Sequence, residues 1–443
     1  MENNTLRPLH YQPVAITRPL RHAPANFGRW LVWTGFALLL IGAPYVFDAG
    51  ASLSILSQMG TMMIFALSYN MLLGQSGMLS FGHAVYSGLG AFFAIHAINY
   101  AAGGALPLPL TLIPLVGGIA GMLFGVLFGY LTTKKSGTTF AMISLGIVEL
   151  VFACSLMFPG FFGGEGGVSA NRVFGKPILG ISYGPQVQVY YLIAFWLFIS
   201  TIGMFAIFHT PLGRIANAVR DNPERVEFIG YNTQRVRYFM LVLSAFFAGI
   251  SGGLAAINFE IVSAENVSAL RSGAVLLFTF IGGVGFFFGP LLGAIVGIFL
   301  TVTLSEFTKA WQLYLGVFFI LIVLYAPGGL ASLIMMHLRV ASHRHYQRIL
   351  VPLLAVSGAG LVAFLGSVIL IEMMYHLTLE SANGTTMALL GYLVDTAEPT
   401  GWTLGVGLLL GGSVLFWLAQ KPFTLAWGTV NADIEKQILK AGK

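Results

Sequence analysis

Residues 106–135 read LPLPLTLIPLVGGIAGMLFGVLFGYLTTKK, a run with no charge until Lys134 and Lys135 close it. About 20 consecutive apolar residues cross the hydrocarbon of a bilayer as a helix. Paired lysines directly after such a run mark its cytoplasmic end. Within it, Gly117, Gly121, Gly125 and Gly129 recur at every fourth position, on one helix face. Such a stripe lets helix backbones approach closely where lipid supplies no hydrophobic drive, and packing is its plain reading. The rest of the chain has the same character. Of 443 residues, 57% are hydrophobic and 9% charged, with mean hydropathy +0.84. A soluble domain has about 45–50% apolar and about 25% charged residues. Soluble enzymes, nucleic-acid binders and disordered scaffolds are excluded. The 55 glycines follow no G-X-Y period, which removes collagen. The expected fold is all-α and polytopic.

Twelve spans are expected, near 30–47, 52–74, 79–100, 106–132, 138–158, 187–209, 236–257, 268–285, 288–305, 311–327, 350–376 and 401–419. Ten form a core and two a C-terminal pair. With the N-terminus inside, 18 of the 22 Lys and Arg residues fall on the cytoplasmic side. Arg172, Lys176, Arg271 and Lys309 fall opposite. The net charge of +6 therefore reflects orientation and not nucleic acid. Both termini are expected in the cytoplasm. Residues 1–29, with Arg7, Arg18, Arg21 and Arg29, form a cytoplasmic arm without a cleavable signal peptide. Residues 30–338 form the core, and 339–443 an appended two-helix extension with a cytoplasmic tail. The extension opens on a basic linker, RVASHRHYQR at 339–348, and carries an acidic loop with Glu380, Asp395 and Glu398. Cys154 is the single cysteine, so neither an intrachain disulfide nor a cysteine metal site is expected.

Three segments break the pattern of a plain lipid-facing helix. The first places Asn70, Gln75, Ser76 and His83 among Gly74, Gly77 and Gly82, between two apolar runs. Irregular backbone at membrane depth is tolerated where it is buried or lines a wet cavity, and broken helices form transport sites. A surface loop with turn glycines is the other reading, and His83 also suits a packing role. The second, IGGVGFFFGP at 281–290, loosely echoes the first through Gly282, Gly285 and Gly289. The third, TPLGRIANAVRDNPERVEFIGYN at 210–232, has Asn222 to cap a helix, Pro223 at its first position and Gly230 at its exit. Two short helices result. Ile215, Val219, Val226 and Ile229 are expected against the membrane domain. Arg214, Arg220, Asp221, Glu224 and Arg225 are left for solvent or a partner.

Glu149 is read as the one carboxylate well inside a span, where it serves either transport or local hydrogen bonding. No G-x-x-x-x-G-K-[ST] or H-E-x-x-H occurs, and no G-x-S-x-G is read as a nucleophile elbow, so ATP binding and catalysis by this chain are not expected.

These segments resemble the permease subunits of bacterial ABC importers of the branched-chain amino acid type, the LivM-like family. The resemblance is carried by LSYNMLLGQSGMLSFGHAVYSGLGAF (67–92), SGTTFAMISLGIVEL (136–150), Gly163 to Gly167, the 210–232 segment and FIGGVGFFFGPLLGAIVG (280–297). It implies that 213–230 docks into a separate ATPase subunit through Arg214, Arg220, Asp221, Glu224, Arg225, Glu227 and Gly230. It also implies a second related permease, two ATPase subunits that hold ATP and Mg, and a periplasmic binding protein at a bacterial inner membrane. No cofactor or metal is expected in this chain itself, and membrane lipid is its other partner. Asn70, Gln75, Ser76, His83 and Glu149 are the pathway candidates. The family ends soon after APGGL (326–330), so the extension departs from it. The competing reading is an ion-coupled transporter using Glu149 and His83. The solute is read as small, an amino acid or a related acid or amide.

Overall fold

The computed structural model describes residues 27–105, 107–174, 181–343, 346–379, 384–389 and 392–441. Two compact units divide the chain after Val46. The first contributes α1 (Phe27–Val46), an apolar helix with Pro44 near its end.

In the second unit, α2 (Gly50–Ser76), α3 (His83–Ala102), α4 (Ile113–Thr132) and α5 (Gly137–Met157) come first. A single turn, α6 (Pro159–Phe162), and strand β1 (Val168–Ser169) follow. Next are α7 (Gln186–His209), the short α8 (Pro211–Asp221) and α9 (Pro223–Phe228), and α10 (Thr233–Phe259). Strand β2 (Ile261–Val262) and a tight 264–267 turn lead to α11 (Ala269–Gly282). Then α12 (Gly289–Ile298) runs through a π-helical turn into α13 (Leu304–Phe307). α14 (Trp311–Tyr325) and α15 (Gly329–Ser342) precede α16 (Tyr346–Leu379), hairpin strands β3 (Thr386–Leu389) and β4 (Tyr392–Asp395), and α17 (Pro399–Ala441).

Among the described residues, eight helices are long and apolar enough to cross a membrane, or nine if α14 and α15, bent by 50°, form one span. The protein is all-α and polytopic. α3 has spanning length without belonging to that apolar set. It packs on α10 and α4 and is buried along most of its length, so it shows little surface to lipid. The residues expected to span 268–285 instead form a helix of 14 residues, roughly 21 Å at ~1.5 Å per residue and short of a ~30 Å hydrocarbon layer. The run 311–327 ends at the bend before α15.

α10 is the axis of the bundle, packed by α2, α3 and α4. The Gly117–Gly129 ladder lies against it: a side chain at Gly117 would meet the Gly249 carbonyl at 2.5 Å, and one at Gly125 would meet Ala245 Cβ at 2.7 Å. Buried hydroxyls lock the register, with Ser244 Oγ donating to the Ser68 carbonyl at 2.6 Å and Ser251 Oγ to Thr61 at 2.8 Å. The second ladder, Gly289, Gly293 and Gly297, packs α12 on α11 at Gly282 and Phe278.

At the end of α10 away from α8, Arg172 gathers the loop between α5 and α7. Its guanidinium donates to the carbonyls of Tyr183 (2.9 Å), Asn258 (3.3 Å) and Gly184 (3.2 Å) and to Gln186 Oε1 (3.2 Å). Its backbone N–H donates to Glu260 Oε1 at 2.8 Å. Replacing Arg172 with Ala leaves these acceptors unpaired, at about 1–3 kcal/mol. The expected result is a lower melting temperature, with new cleavage within 163–174 in limited proteolysis.

The extension is more regular than its sequence announces. Residues 339–342 complete α15 and α16 begins at Tyr346, so the basic segment is largely helical. Arg344 and Glu380 lie outside the described residues. The acidic loop holds the β3–β4 hairpin, Thr386 pairing with Asp395. α17 runs far past residue 419, and its end turns Val430 and Ile434 onto Val340 and Ile349 in a small apolar core. Arg348 pairs with Asp433 at 3.2 Å.

Candidate functional site

The 210–232 segment folds as its caps dictate. Thr210 Oγ1 accepts the Gly213 N–H at 3.4 Å to start α8. Asn222 Oδ1 accepts the Arg225 N–H at 3.0 Å to start α9, with Pro223 at its first position. Gly230 has φ +91°, a left-handed conformation that ends α9, and Asn232 caps α10. Gly213, Ala216, Val219 and Val226 are buried and Ile215 is half-buried. α8 packs on α2, α7 and α10. Ile229 departs from expectation: it is 68% exposed beside Phe228, which is 88% exposed. The 3.6-residue period fails there because α9 has only six residues before Gly230 turns the chain. Arg214, Glu224 and Arg225 project as exposed side chains. Glu227 Oε1 accepts from Thr233 Oγ1 at 2.6 Å and lines a cavity of about 540 Å³ with Lys134 and Arg237.

Arg220 does not simply face solvent. Its Nη1 donates to the carbonyl of Gly74, in the last turn of α2. Its Nε and Nη2 reach Asp221 Oδ1 at 3.0 and 2.9 Å. Gly77 caps α2 with φ +68°, and its N–H returns to the Leu73 carbonyl at 3.0 Å. A side chain at Gly77 would stand 2.9 Å from Arg220 Cγ, so the cap needs glycine for conformation and for space.

The second glycine-rich segment arrives at the same place. A Cβ on Gly74 would meet Asn70 Oδ1, and the Val284 carbonyl at 2.9 Å. Val284 lies in the break between α11 and α12. That break is held by Gly282 against Gly289 and by Gly283, at φ +109°, against Gly328. Gly285 faces open space and takes no part in this packing. Three segments remote in sequence therefore meet at the C-terminal end of α2.

Buried polar groups without partners cluster there. Asn70 is fully buried with both side-chain polar atoms unpaired, and Gln75 Oε1 is likewise enclosed. Buried amides are normally satisfied, so such groups mark a place that takes up water, solute or a second arrangement. Ser76 instead returns its hydroxyl to the Leu72 carbonyl at 2.6 Å. His83 lies deeper, boxed by Phe65, Tyr69 and Tyr86, with Nε2 3.0 Å from Ser68 Oγ. Gly82 rests on the Ser144 carbonyl. Glu149 is apart from this cluster, exposed on the outer face of α5.

Sequence reading missed two charged residues. Glu372 of α16 also lies within an expected span, where it accepts from Thr308 Oγ1 at 2.7 Å and Tyr314 OH at 2.8 Å. Arg271, counted among the charges of the extracytoplasmic side although it falls within the expected span 268–285, sits inside the bundle beside Phe65. Its position one turn into an apolar run was the available signal. Among the described residues no group of three or more His, Cys, Asp or Glu side chains is placed to hold a metal.

Residues 51–327 match the family model described as branched-chain amino acid transport system / permease component. Two curated relatives bear the name high-affinity branched-chain amino acid transport system permease protein LivM. The one from Salmonella typhimurium (strain LT2) is 27% identical over 330 residues, covering 69% of this chain and 76% of the relative. The one from Escherichia coli (strain K12) is 27% identical over 289 residues, covering 60% and 67%. No solved structure matches. The chain is a membrane transport subunit and not an enzyme. It belongs to the branched-chain amino acid transport system permease family.

Proposed function

We propose that this chain is one of two membrane-spanning subunits of an ATP-driven importer for branched-chain amino acids in a bacterial inner membrane, with both termini in the cytoplasm. Two ATPase subunits hold ATP and Mg and grip α8 and α9, through the exposed Arg214, Glu224, Arg225, Phe228 and Ile229. A periplasmic binding protein delivers the solute to the opposite face, and a second related permease completes the pathway. The observation that carries this reading is the Arg220–Gly74 contact. It ties the segment offered to an ATPase directly to the end of a broken helix flanked by unpaired buried amides, so a push on α8 is delivered to α2 and to the α11–α12 break. Asn70, Gln75 and Ser76 then belong to the moving gate, and Glu149 to the face turned to the second permease, since a carboxylate left in lipid is costly.

The test is co-purification of the chain with its native neighbours, with and without Arg220→Ala plus Glu224→Ala. An ATPase that elutes with the native chain and is lost or uncoupled in the double variant is the expected result. Uptake that needs no ATPase and collapses with an uncoupler replaces this reading by the ion-coupled one.

A further inference from the structure

Arg271 stands in the middle of the bundle without a counter-charge. Its guanidinium lies 5.9 Å from the centre of the Phe65 ring, and Phe65 is 15 residues from the start of α2 and 11 from its end. At ~1.5 Å per residue these are roughly 22 and 17 Å, near the midplane of a spanning helix. Nη1 donates to Asn266 Oδ1 at 2.7 Å. Nε is enclosed with no partner, and no carboxylate pairs with Arg271 among the described residues.

The backbone around it adds positive potential. α11 starts here as a partial helix, with Ser268 capping the Arg271 N–H at 3.3 Å. α3 also starts here, its Ala84 N–H donating to Ser272 Oγ at 2.9 Å. Helix N-termini favour anions, and partial helices beginning at mid-depth present that end to a solute. Leu270, between the cap and Arg271, is 85% exposed, so this helix start opens onto the outer surface of the chain.

Glu149 stands at the same depth. Gly82, just before α3, rests on the Ser144 carbonyl, and further along α3 His96 meets the Phe161 carbonyl at 2.7 Å, just past α5. The two helices therefore rise together, and Glu149, five residues beyond Ser144, is level with Ser87. Arg271 is bracketed on α3 by Ala84, bonded to Ser272, and by Gly88, against which Asn266 packs. α5 packs on α11 and on the 264–267 turn that leads into it. Glu149 is exposed and without an ion-pair partner among the described residues.

We propose that Arg271 and Glu149 are the two poles of a zwitterion site, Arg271 receiving the α-carboxylate and Glu149 the α-ammonium of an amino acid passing mid-depth. Each pole lacks the partner that its depth demands, and a free amino acid supplies both at once. The site rests on the importer reading above and names the groups that recognise its solute.

The test uses the full chain co-purified with its native neighbours in lipid nanodiscs, with thermal stability followed against leucine, leucinamide and isocaproate. Leucinamide lacks the carboxylate and isocaproate lacks the ammonium. Leucine is expected to stabilise the native assembly at concentrations at least about tenfold below either analogue, the scale of one charge-assisted hydrogen bond. Arg271→Gln is expected to erase the preference over leucinamide, and Glu149→Gln the preference over isocaproate. Arg271→Lys keeps leucine binding within about tenfold, which a purely steric role for Arg271 does not predict. Undiminished leucine preference in both Gln variants overturns the site, as does a native assembly that treats the three ligands alike. Should Arg271→Gln fail to fold, Arg271→Lys and Glu149→Gln carry the comparison. ATP-driven uptake in proteoliposomes separates the two readings. Uptake without discrimination removes the site and leaves the importer; discrimination without uptake removes the importer and leaves the site.

Discussion

Arg220→Ala is expected to reduce ATP-driven solute uptake by at least about tenfold while the ATPase still co-purifies with the chain. The side chain makes its bonds within its own chain, to the Gly74 carbonyl and to Asp221, and not on the exposed face of α8. Its loss therefore frees α8 from α2 without removing the surface offered to a partner. A charge-assisted bond of this kind contributes about 1.5 kcal/mol after allowance for its partial exposure, close to tenfold in an equilibrium between coupled and uncoupled arrangements. Lysine is not an adequate substitute, because one ammonium cannot hold the carbonyl and the carboxylate with the geometry of a planar guanidinium. Gly77→Ala reaches the same point from the other side. It strains a residue at φ +68° and drives a methyl group into Arg220 Cγ. It is expected to give the same loss of uptake, and Arg220→Ala combined with Gly77→Ala to fall little further. Uptake per ATP hydrolysed, in proteoliposomes, checks both. Unchanged coupling in Arg220→Ala would remove α2 from the route by which force travels.

The three irregular segments were legible because each breaks a simple rule in a local way. Polar and glycine residues interrupt an apolar run at 70–83, glycines cluster around Pro290, and an Asn-Pro pair restarts a helix at 222–223. Their meeting at the end of α2 was not legible, since the residues that join them, Gly74, Arg220 and Val284, are far apart in the chain and nothing in one sequence couples them. Arg271 shows the complementary failure. Charge counting places every arginine in a loop unless it lies deep within an apolar window, and Arg271 stands one turn into such a window. Only the descent of 263–268 into the bundle carries it to mid-depth. Glu149 was recognised as unusual, yet its direction away from the chain's own core depends on which face of α5 meets α3. The helical form of the C-terminal tail was not legible for a related reason: after the span ends, Val430 and Ile434 are too sparse to announce a helix, and only their packing on Val340 and Ile349 explains one.

Gly249→Val is expected to remove most of the folded protein, the largest stability effect predicted for a single change in the bundle. At this position three backbones converge: a Cβ on Gly249 would overlap the Gly117 carbonyl of α4, and one on Gly90 of α3 would stand 2.7 Å from Gly249 Cα. The atoms in the way are backbone and cannot move as a flexible side chain does. Overpacking costs about 1–3 kcal/mol where neighbours can adjust, and here relief requires α4 or α3 to move off α10. That movement would also pull Ser244 and Ser251 from their carbonyl acceptors on α2, because the hydroxyls and Gly249 share one helix. Gly411→Val in α17 is the matched control: nothing stands within 4 Å of a Cβ there, so it takes the same substitution on another helix without a collision. Yield of monodisperse protein after detergent extraction, followed by a thermal melt, distinguishes the two. Near-native yield from Gly249→Val would mean that α3, α4 and α10 do not approach at this point in the membrane. The glycine ladder at 117–129 would then be a consequence of composition and not the device that closes the bundle.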